Sequence, residues 1–106
     1  ILRQEAYMKG GYKVLWTDNA LDELSRTIEY LEHNFSDLEI RKLALKIESI
    51  SELISQNPSI FPKSEFKEVY KAVILNHYTM YYRIRGNNIH ILSFFSNRLN
   101  PNRKKI

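Results

Sequence analysis

Tyrosine and arginine side chains occupy alternate positions of one segment in the second half of the chain. Tyr81, Arg83 and Arg85 occupy every second position of an aromatic-rich run, so a β-strand would place all three on one face. Guanidinium groups beside an aromatic ring stack on nucleobases or hold a peptide, although cross-strand packing explains the tyrosine equally well. The pattern predicts a candidate binding surface and leaves its ligand open.

Lysine and histidine residues carry weaker signals. Lys67 and Lys71 precede the aromatic-rich run, and lysines in such positions more often protect the edge of a sheet than exchange protons. His33, His77 and His90 are far apart and lack the H-E-x-x-H spacing or any comparable arrangement of metal ligands. We therefore predict no metal site, and we place only His90 near a functional face.

Motifs for nucleotide-dependent or serine-hydrolase chemistry are absent from the sequence. Its three glycines do not form a phosphate-binding loop, and no nucleophile elbow supports Ser/His/Asp catalysis. Cysteine is also absent, which excludes disulfides, thiolate nucleophiles and cysteine-ligated zinc. We expect no cofactor, and the composition fits a cytoplasmic protein.

The formal net charge of +4 conceals two unequal halves. Residues 1–57 hold seven Lys and Arg against ten Asp and Glu, a net charge of −3, whereas residues 58–106 hold nine against two, a net charge of +7. A basic half of this kind usually has an anionic partner, either nucleic acid or an acidic protein segment. The candidate surface lies in the basic half.

Two amphipathic helices are predicted before Pro58. A short β-type run at residues 12–16 is followed by Thr17, a typical helix N-cap. Apolar residues then recur every three or four positions. The stretch from Ser36 to Glu39 has the S-x-x-E form of a capping box, which starts a second helix. Because few residues separate the two helices, we expect a helical hairpin.

Three strands are predicted after the helices, because the hydrophobic period changes from 3.6 to 2. They cover residues 69–75, 78–85 and 89–95, with turns at residues 76–77 and 86–88. The last strand is apolar on nearly both faces, as expected at the centre of a sheet. The predicted fold class is α+β: a strand, an α-helical hairpin and a three-stranded antiparallel meander, with the helices packed on one face of the sheet.

The length of 106 residues fits one domain. We predict a flexible N-terminal extension at residues 1–11, with Met8 as a candidate natural start, and a single domain at residues 12–106. The longest aliphatic run covers only residues 72–75, far short of the roughly 18 residues that a membrane span requires. We therefore expect no membrane partner.

Two sequence stretches and the order of elements point to a known family. Residues 78–92 read Y-x-M-x-Y-x-I-R-G-N-N-I-x-I-L, and residues 94–101 read F-F-S-N-R-L-N-P. Together they resemble the RelE/ParE superfamily of toxins from type II toxin-antitoxin modules, and the likeness spans residues 12–101. The strongest piece is residues 97–101, since many members carry an arginine followed by Asp/Asn-Pro after the last strand.

The resemblance implies a small toxin that a cognate antitoxin neutralises within a toxin-antitoxin hetero-oligomer. Bacterial growth inhibition and plasmid stabilisation are the roles that it suggests. Two branches of the superfamily differ in activity. RelE-like members bind the ribosome and cut mRNA, whereas ParE-like members inhibit DNA gyrase without known hydrolytic chemistry.

The RNA-cleaving residues of RelE-like members provide a comparison by position. Those members carry two lysines on the first meander strand, an arginine on the next, another at the end of the last, and a tyrosine downstream. Lys71 resembles one lysine, but Val73 and Thr79 stand at the second lysine and the first arginine, although Arg83 lies further along the same face. Arg98 resembles the terminal arginine, and no tyrosine follows it. The incomplete set favours a ParE-like toxin.

Three hypotheses result from this comparison. The first is a ParE-like toxin that binds DNA gyrase. Its predicted contacts to the target or the antitoxin are Lys67, Tyr81, Arg85, His90 and Arg103. The second is a RelE-like, ribosome-dependent mRNA endonuclease in which Lys71, Arg83 and Arg98 supply the catalytic charge. The third is a toxin fold that has lost activity and serves as a binding module. For Arg98 we also weigh a structural role, in which its guanidinium ties the chain after the last strand to carbonyls or to a helix carboxylate.

Overall fold

One short strand and two helices begin the fold. The structure, a computed structural model, describes residues 11–99, so residues 1–10 of the predicted extension and the predicted contact Arg103 lie outside the described residues. Strand β1 is Lys13–Trp16, helix α1 is Asp18–Asn34 and helix α2 is Asp37–Gln56. The Thr17 hydroxyl accepts a hydrogen bond from the Ala20 N–H at 3.2 Å, which confirms the predicted N-cap of α1.

Helix α2 begins without the predicted capping box. Ser36 is the N-cap residue, but its side chain makes no capping hydrogen bond. The first turn is closed by the backbone, through a 3.0 Å bond from the Glu39 N–H to the Ser36 carbonyl. Glu39 is half-buried; burial raises the pKa of the Tyr78 phenol, and the Glu39 carboxylate adds a smaller increase. The predicted Ser36–Glu39 capping box is therefore wrong.

Three further strands complete a four-stranded mixed sheet. Strand β2 is Tyr70–Ile74, β3 is Tyr78–Arg85 and β4 is Asn88–Ser96. The strand order is β1-β4-β3-β2, with β1 parallel to β4 and the other pairs antiparallel. The α+β prediction is confirmed. Strand β4 lies between β1 and β3, which explains why its sequence is apolar on both faces.

The main core lies between the sheet and the two helices. Phe94 of β4 is 1% exposed, and its ring centroid is 5.4 Å from that of Tyr78 and 6.3 Å from that of Trp16. Helix residues such as Leu31 and Leu43 belong to the same buried cluster. A second, small cluster on the opposite face of the sheet joins Val69, Tyr81 and Phe95, with Phe66 and Leu92 packed against it. The helices therefore cover one face, as predicted.

A β-bulge in β4 separates the two halves of that strand. Tyr81 is opposite Ser93 and Tyr82 is opposite Ile91, so Leu92 is the extra residue. Before the bulge β4 pairs with β1, which ends at Trp16 opposite Ile91. Beyond it, β4 has no strand on that side. An unpaired edge of this kind needs another cover.

Helix α1 provides that cover. The Asn19 amide donates to the Leu92 carbonyl at 2.9 Å. One carboxylate oxygen of Glu23 accepts both the Phe94 N–H and the Ser93 hydroxyl, each at 2.8 Å. Glu23 thus takes the place of a neighbouring strand for the second half of β4.

Within residues 11–99, neither helix is long and apolar enough to cross a bilayer.

Tyr82 is a buried phenol with a satisfied hydroxyl. It donates to the Pro58 carbonyl at 2.7 Å, and its ring stacks on Tyr70 at 5.3 Å. Burial, with a smaller contribution from Tyr70, raises the pKa of Tyr82 above its ordinary value of 10.0. The folded protein therefore holds this phenol in its neutral form.

Stability is consequently expected to fall at alkaline pH. Because the pKa of Tyr82 is raised on folding, its contribution is complete below pH 10 and is lost as the pH rises through the folded value. The free energy of unfolding, measured by urea titration between about pH 8 and about pH 11, should decline, and less steeply in Tyr82→Phe. An equally steep decline in both proteins would contradict the assignment.

The β2–β3 turn is centred one residue earlier than predicted. Leu75 and Asn76 have φ angles of 52° and 63°, and the His77 N–H donates to the Ile74 carbonyl at 3.2 Å. Two left-handed central residues match the twist of a hairpin, and such turns favour asparagine followed by glycine. Leucine is costly in this conformation, because its Cβ crowds the following carbonyl.

Replacing Leu75 by glycine should therefore stabilise the protein. We expect Leu75→Gly to raise the free energy of unfolding by about 0.5–1 kcal/mol, since the relief of left-handed strain exceeds the added chain entropy. Urea unfolding measures the change. Val73→Gly is the control within regular strand and should destabilise; if both variants lose stability, the strain assigned to Leu75 is wrong.

Candidate functional site

Five of the predicted residues lie on the face of the sheet that the helices leave open, and four of them carry a basic side chain. Across the strands, Arg83 is opposite His90, Arg85 is opposite Asn88, and Lys71 is opposite Tyr81. We call Lys71, Arg83, Arg85 and His90 the open-face cluster. Arg85 is exposed and the other three are half-buried. The fold brings three cationic side chains and one imidazole onto one surface, where an anionic ligand would find complementary charge.

Tyr81 belongs to this face but is not available to a ligand. It is 1% exposed, and Phe66 covers it edge-on with ring centroids 5.7 Å apart. Burial, and to a smaller extent the Glu65 carboxylate, raises the pKa of its phenol. The predicted cation-aromatic binding surface at Tyr81 is therefore wrong, because the segment before β2 folds over the ring.

Arg83 is half-buried, and one of its donors is unsatisfied. Its Nε atom is buried and has no hydrogen-bond partner among the described residues. An unpaired buried donor is costly. Because Nε is closed to solvent, an anionic ligand would meet the terminal nitrogens of the guanidinium.

Lys67 lies outside the sheet. It is exposed and precedes β2, beside Glu68. Glu68 has a φ angle of 55°, so the backbone turns sharply before the chain enters the strand. Lys67 is therefore separated from the open-face cluster by a turn.

Arg98 lies on the helix side of the sheet. Its guanidinium carbon is 4.5 Å from the ring centroid of Phe35, in the link between α1 and α2, and 5.9 Å from that of Tyr78. Tyr78 is part of the main core. Burial raises the pKa of the Tyr78 phenol, and the charge of Arg98 partly offsets that rise. Arg98 therefore joins the end of β4 to the helical hairpin.

The structural role considered for Arg98 takes a different form from the one expected. Aromatic rings hold the guanidinium, where we expected backbone carbonyls or a helix carboxylate. One terminal nitrogen, Nη1, is buried without a hydrogen-bond partner within residues 11–99. Sequence reasoning missed Phe35, whose only signal was an aromatic side chain in a short link between helices.

The three cations of a ribonuclease site are consequently divided between the two faces of the sheet. Lys71 and Arg83 belong to the open face, whereas Arg98 packs on Tyr78, on the helix face. A single phosphate would need all of them within hydrogen-bond distance. The sheet separates them.

Comparison with known proteins agrees with the fold. Residues 14–100 match the family model for the ParE toxin of type II toxin-antitoxin systems, parDE. The chain belongs to the ParE toxin family. A solved structure described as the chromosomal ParDE toxin-antitoxin system from P. aeruginosa has the same fold, with a TM-score of 0.67, 19% sequence identity, and coverage of 78% of this chain and 92% of that chain. No curated protein sequence matches.

Membership in the ParE toxin family confirms the expected RelE/ParE superfamily. It also assigns the chain to the ParE-like branch. The family match includes the whole meander and the residues up to position 100. It therefore includes both the open-face cluster and Arg98. The match does not assign roles to the individual residues.

The Arg98–Phe35 contact of this ParE-family chain is testable by a double-mutant cycle. We expect Arg98→Ala to lower the free energy of unfolding by about 1–2 kcal/mol, since a partly desolvated guanidinium on an aromatic face stabilises by that amount. Arg98→Ala and Phe35→Ala should couple by about 0.5–1.5 kcal/mol. Arg85→Ala, an exposed arginine on the other face, is the control and should change stability by less than about 0.5 kcal/mol. Additive effects of the two substitutions would show that the contact stabilises nothing.

Proposed function

We propose that this ParE-type toxin acts by binding DNA gyrase and blocking its supercoiling cycle, without cutting RNA. The observation that supports the proposal is the placement of Arg98 on the helix face of the sheet, away from Lys71 and Arg83. A toxin with its cations divided in this way is suited to binding and poorly suited to phosphoryl chemistry.

RNA cleavage through a 2′-hydroxyl needs three groups at one phosphate. A base removes the proton, a cation stabilises the phosphorane and an acid protonates the leaving oxygen. On the open face, Val73 is 57% exposed where a second lysine would stand, and Tyr81 is buried. The RelE-like alternative therefore has Lys71, Arg83 and His90 on this face, but it lacks the second lysine there and has Arg98 on the other face, so it is not favoured.

The open-face cluster is the surface that we propose for the target. Arg83 contributes a half-buried guanidinium, and Arg85 adds an exposed one two residues along the same strand. An acidic protein surface would complement both. Lys67, which precedes β2, stays a proposed contact beside this cluster, and Arg103, outside the described residues, stays a proposed contact without a structural account.

A cognate antitoxin is the second proposed partner. A solved structure of the same fold is described as a ParDE toxin-antitoxin system, and the net charge of +7 in residues 58–106 suits an acidic segment. We expect a toxin-antitoxin hetero-oligomer in the cytoplasm, with growth inhibition and plasmid stabilisation as its consequences. The antitoxin should be encoded by a small open reading frame adjacent to that of the toxin. Failure of its product to co-purify with this chain would contradict the pairing.

Two assays on antitoxin-free toxin test the activity. Gyrase supercoiling should fall with increasing toxin, while mRNA on translating ribosomes stays intact. Arg83→Ala combined with Arg85→Ala should weaken the inhibition at least about tenfold, as expected when two charged contacts are lost. Arg26→Ala is the matched control, because Arg26 is an exposed arginine on α1, and it should inhibit like the wild type.

The alternatives give different results in the same assays. Ribosome-dependent mRNA cleavage that Arg98→Ala abolishes would replace the proposal with the endonuclease. Expression without toxicity, together with unaffected supercoiling, would instead identify an inactive binding module. Either result would overturn gyrase binding as the function.

A further inference from the structure

His90 lies on the inner strand β4, within the open-face cluster. Across the sheet it is opposite Leu15 of β1 on one side and Arg83 of β3 on the other. It is half-buried, so the residue is partly accessible to a ligand. Imidazole is the side chain that ordinarily changes charge between about pH 5 and about pH 8. A ligand that binds to the open-face cluster would therefore contact a group whose charge varies with pH.

The charged side chains that the strands place around His90 are cations. Arg85 of β3 and Lys13 of β1 are on the same face, one pair of residues further along the strands. Among the described residues, the four strands contain no aspartate or glutamate. The Glu65 carboxylate, in the segment before β2, acts on the phenol of Tyr81, which is itself buried. The strands therefore supply no negative charge to the imidazole, whereas an anionic partner would supply it.

We propose that His90 makes the binding of an acidic protein segment at the open-face cluster dependent on pH. The carboxylates of the bound segment stabilise the imidazolium form of His90, so the imidazole takes up a proton from solvent when the complex forms. A complex that holds more protons than its separate components becomes tighter as the pH falls. The inference rests on the proposed binding role of the cluster, but it does not require gyrase as the partner.

The arginines of the same cluster cannot supply this dependence. Arg83 and Arg85 keep their charge over the whole pH range in which imidazole titrates, so their attraction for carboxylates is constant. His90 adds a positive charge below about pH 6 and little charge above about pH 8. The open-face cluster therefore combines a constant attraction with one that grows on acidification.

Calorimetric titration of the full, antitoxin-free chain with poly-L-glutamate tests the inference. Glutamate carboxylates ordinarily titrate at about pH 4.3 and stay ionised in the range of interest. At about 50 mM salt, where charge contacts are only partly screened, the affinity should rise about fivefold between about pH 8 and about pH 6. Titrations at about pH 7, in buffers with different ionisation enthalpies, should show the uptake of about half a proton.

Substitutions at His90 separate its charge from its shape. His90→Gln should bind with the weaker, alkaline affinity of the wild type at every pH and take up no proton. His90→Lys carries a permanent charge and should bind with the tighter, acidic affinity at every pH. His33→Gln is the matched control, because His33 is an exposed histidine on α1, and it should behave like the wild type. Far-ultraviolet circular dichroism should show that all three variants are folded.

Gyrase titrated in the same buffers separates this inference from the proposed function. If polyglutamate binds with proton uptake and gyrase does not bind at any pH, gyrase is not the target and the role of His90 stands. The inference is overturned if the wild type does not bind polyglutamate. It is also overturned if the wild type and His90→Gln show the same pH dependence.

Discussion

Phe94→Ala should strongly destabilise this toxin. Phe94 is 1% exposed and its ring lies between those of Trp16 and Tyr78, with centroid distances of 6.3 Å and 5.4 Å. Removing a buried phenyl group loses its transfer free energy and leaves a cavity, at a cost of about 3–5 kcal/mol. Because a domain of this size is stable by only about 5–15 kcal/mol, much of the molecule's stability would be lost.

Thermal unfolding followed by circular dichroism measures the effect. The Tm should fall by more than about 10 °C, and urea unfolding should show the same loss at constant slope. Phe94→Leu retains most of the apolar volume and should cost about 1–1.5 kcal/mol. Val73→Ala, at a position that is 57% exposed in the same sheet, should change stability little. A Phe94→Ala protein within 1 kcal/mol of the wild type would place the centre of the core elsewhere.

Glu23→Ala should destabilise by about 2–3 kcal/mol, although Glu23 is a charged residue on a surface helix. Its carboxylate accepts the Phe94 N–H and the Ser93 hydroxyl at 2.8 Å each, on the side of β4 that β1 does not reach. Hydrogen bonds to charged groups stabilise more than neutral ones. Without the carboxylate, the Phe94 amide has lost its acceptor at the edge of the sheet.

The same helix supplies a matched control. Asp22 forms a 2.9 Å salt bridge with Arg26, and both side chains are more than 60% exposed. Asp22→Ala should therefore cost less than about 1 kcal/mol. Glu23→Gln retains an acceptor oxygen and should recover part of the loss, and hydrogen exchange should show faster exchange of the Phe94 amide in Glu23→Ala. If Asp22→Ala and Glu23→Ala were equally stable, the result would contradict the role of Glu23 in capping the edge of β4.

The elements of this fold were predictable because they rest on local patterns. The Thr17 cap, the two helical periods and the central position of β4 all depend on residues that are close in the sequence, and the structure confirms each of them. The predicted capping box at Ser36 failed: the Ser36 side chain makes no capping hydrogen bond, and the Glu39 N–H bonds to the Ser36 carbonyl. The S-x-x-E motif supplies the residue types for a capping box but does not determine their side-chain geometry.

The candidate site was predictable only in part. Alternation along β3 correctly predicted that Arg83 and Arg85 share a face. It also placed Tyr81 on that face, but alternation does not reveal that Phe66 covers the ring. Arg98 follows β4 in the sequence as a ribonuclease arginine would, yet its guanidinium packs on Phe35 and on the helix-side Tyr78.

The sequence by itself determined the family, the order of elements and the concentration of positive charge in residues 58–106. These properties follow from residue types and short spacings, which the chain carries before it folds. The tertiary structure decided which residues become neighbours: Arg83 lies opposite His90 across the strands, the Arg98 guanidinium lies over the Phe35 ring, and Glu23 bonds to β4. The physical reason is that a strand fixes only the face of each side chain, whereas the packing of helices and loops against the sheet determines which faces stay open to a partner.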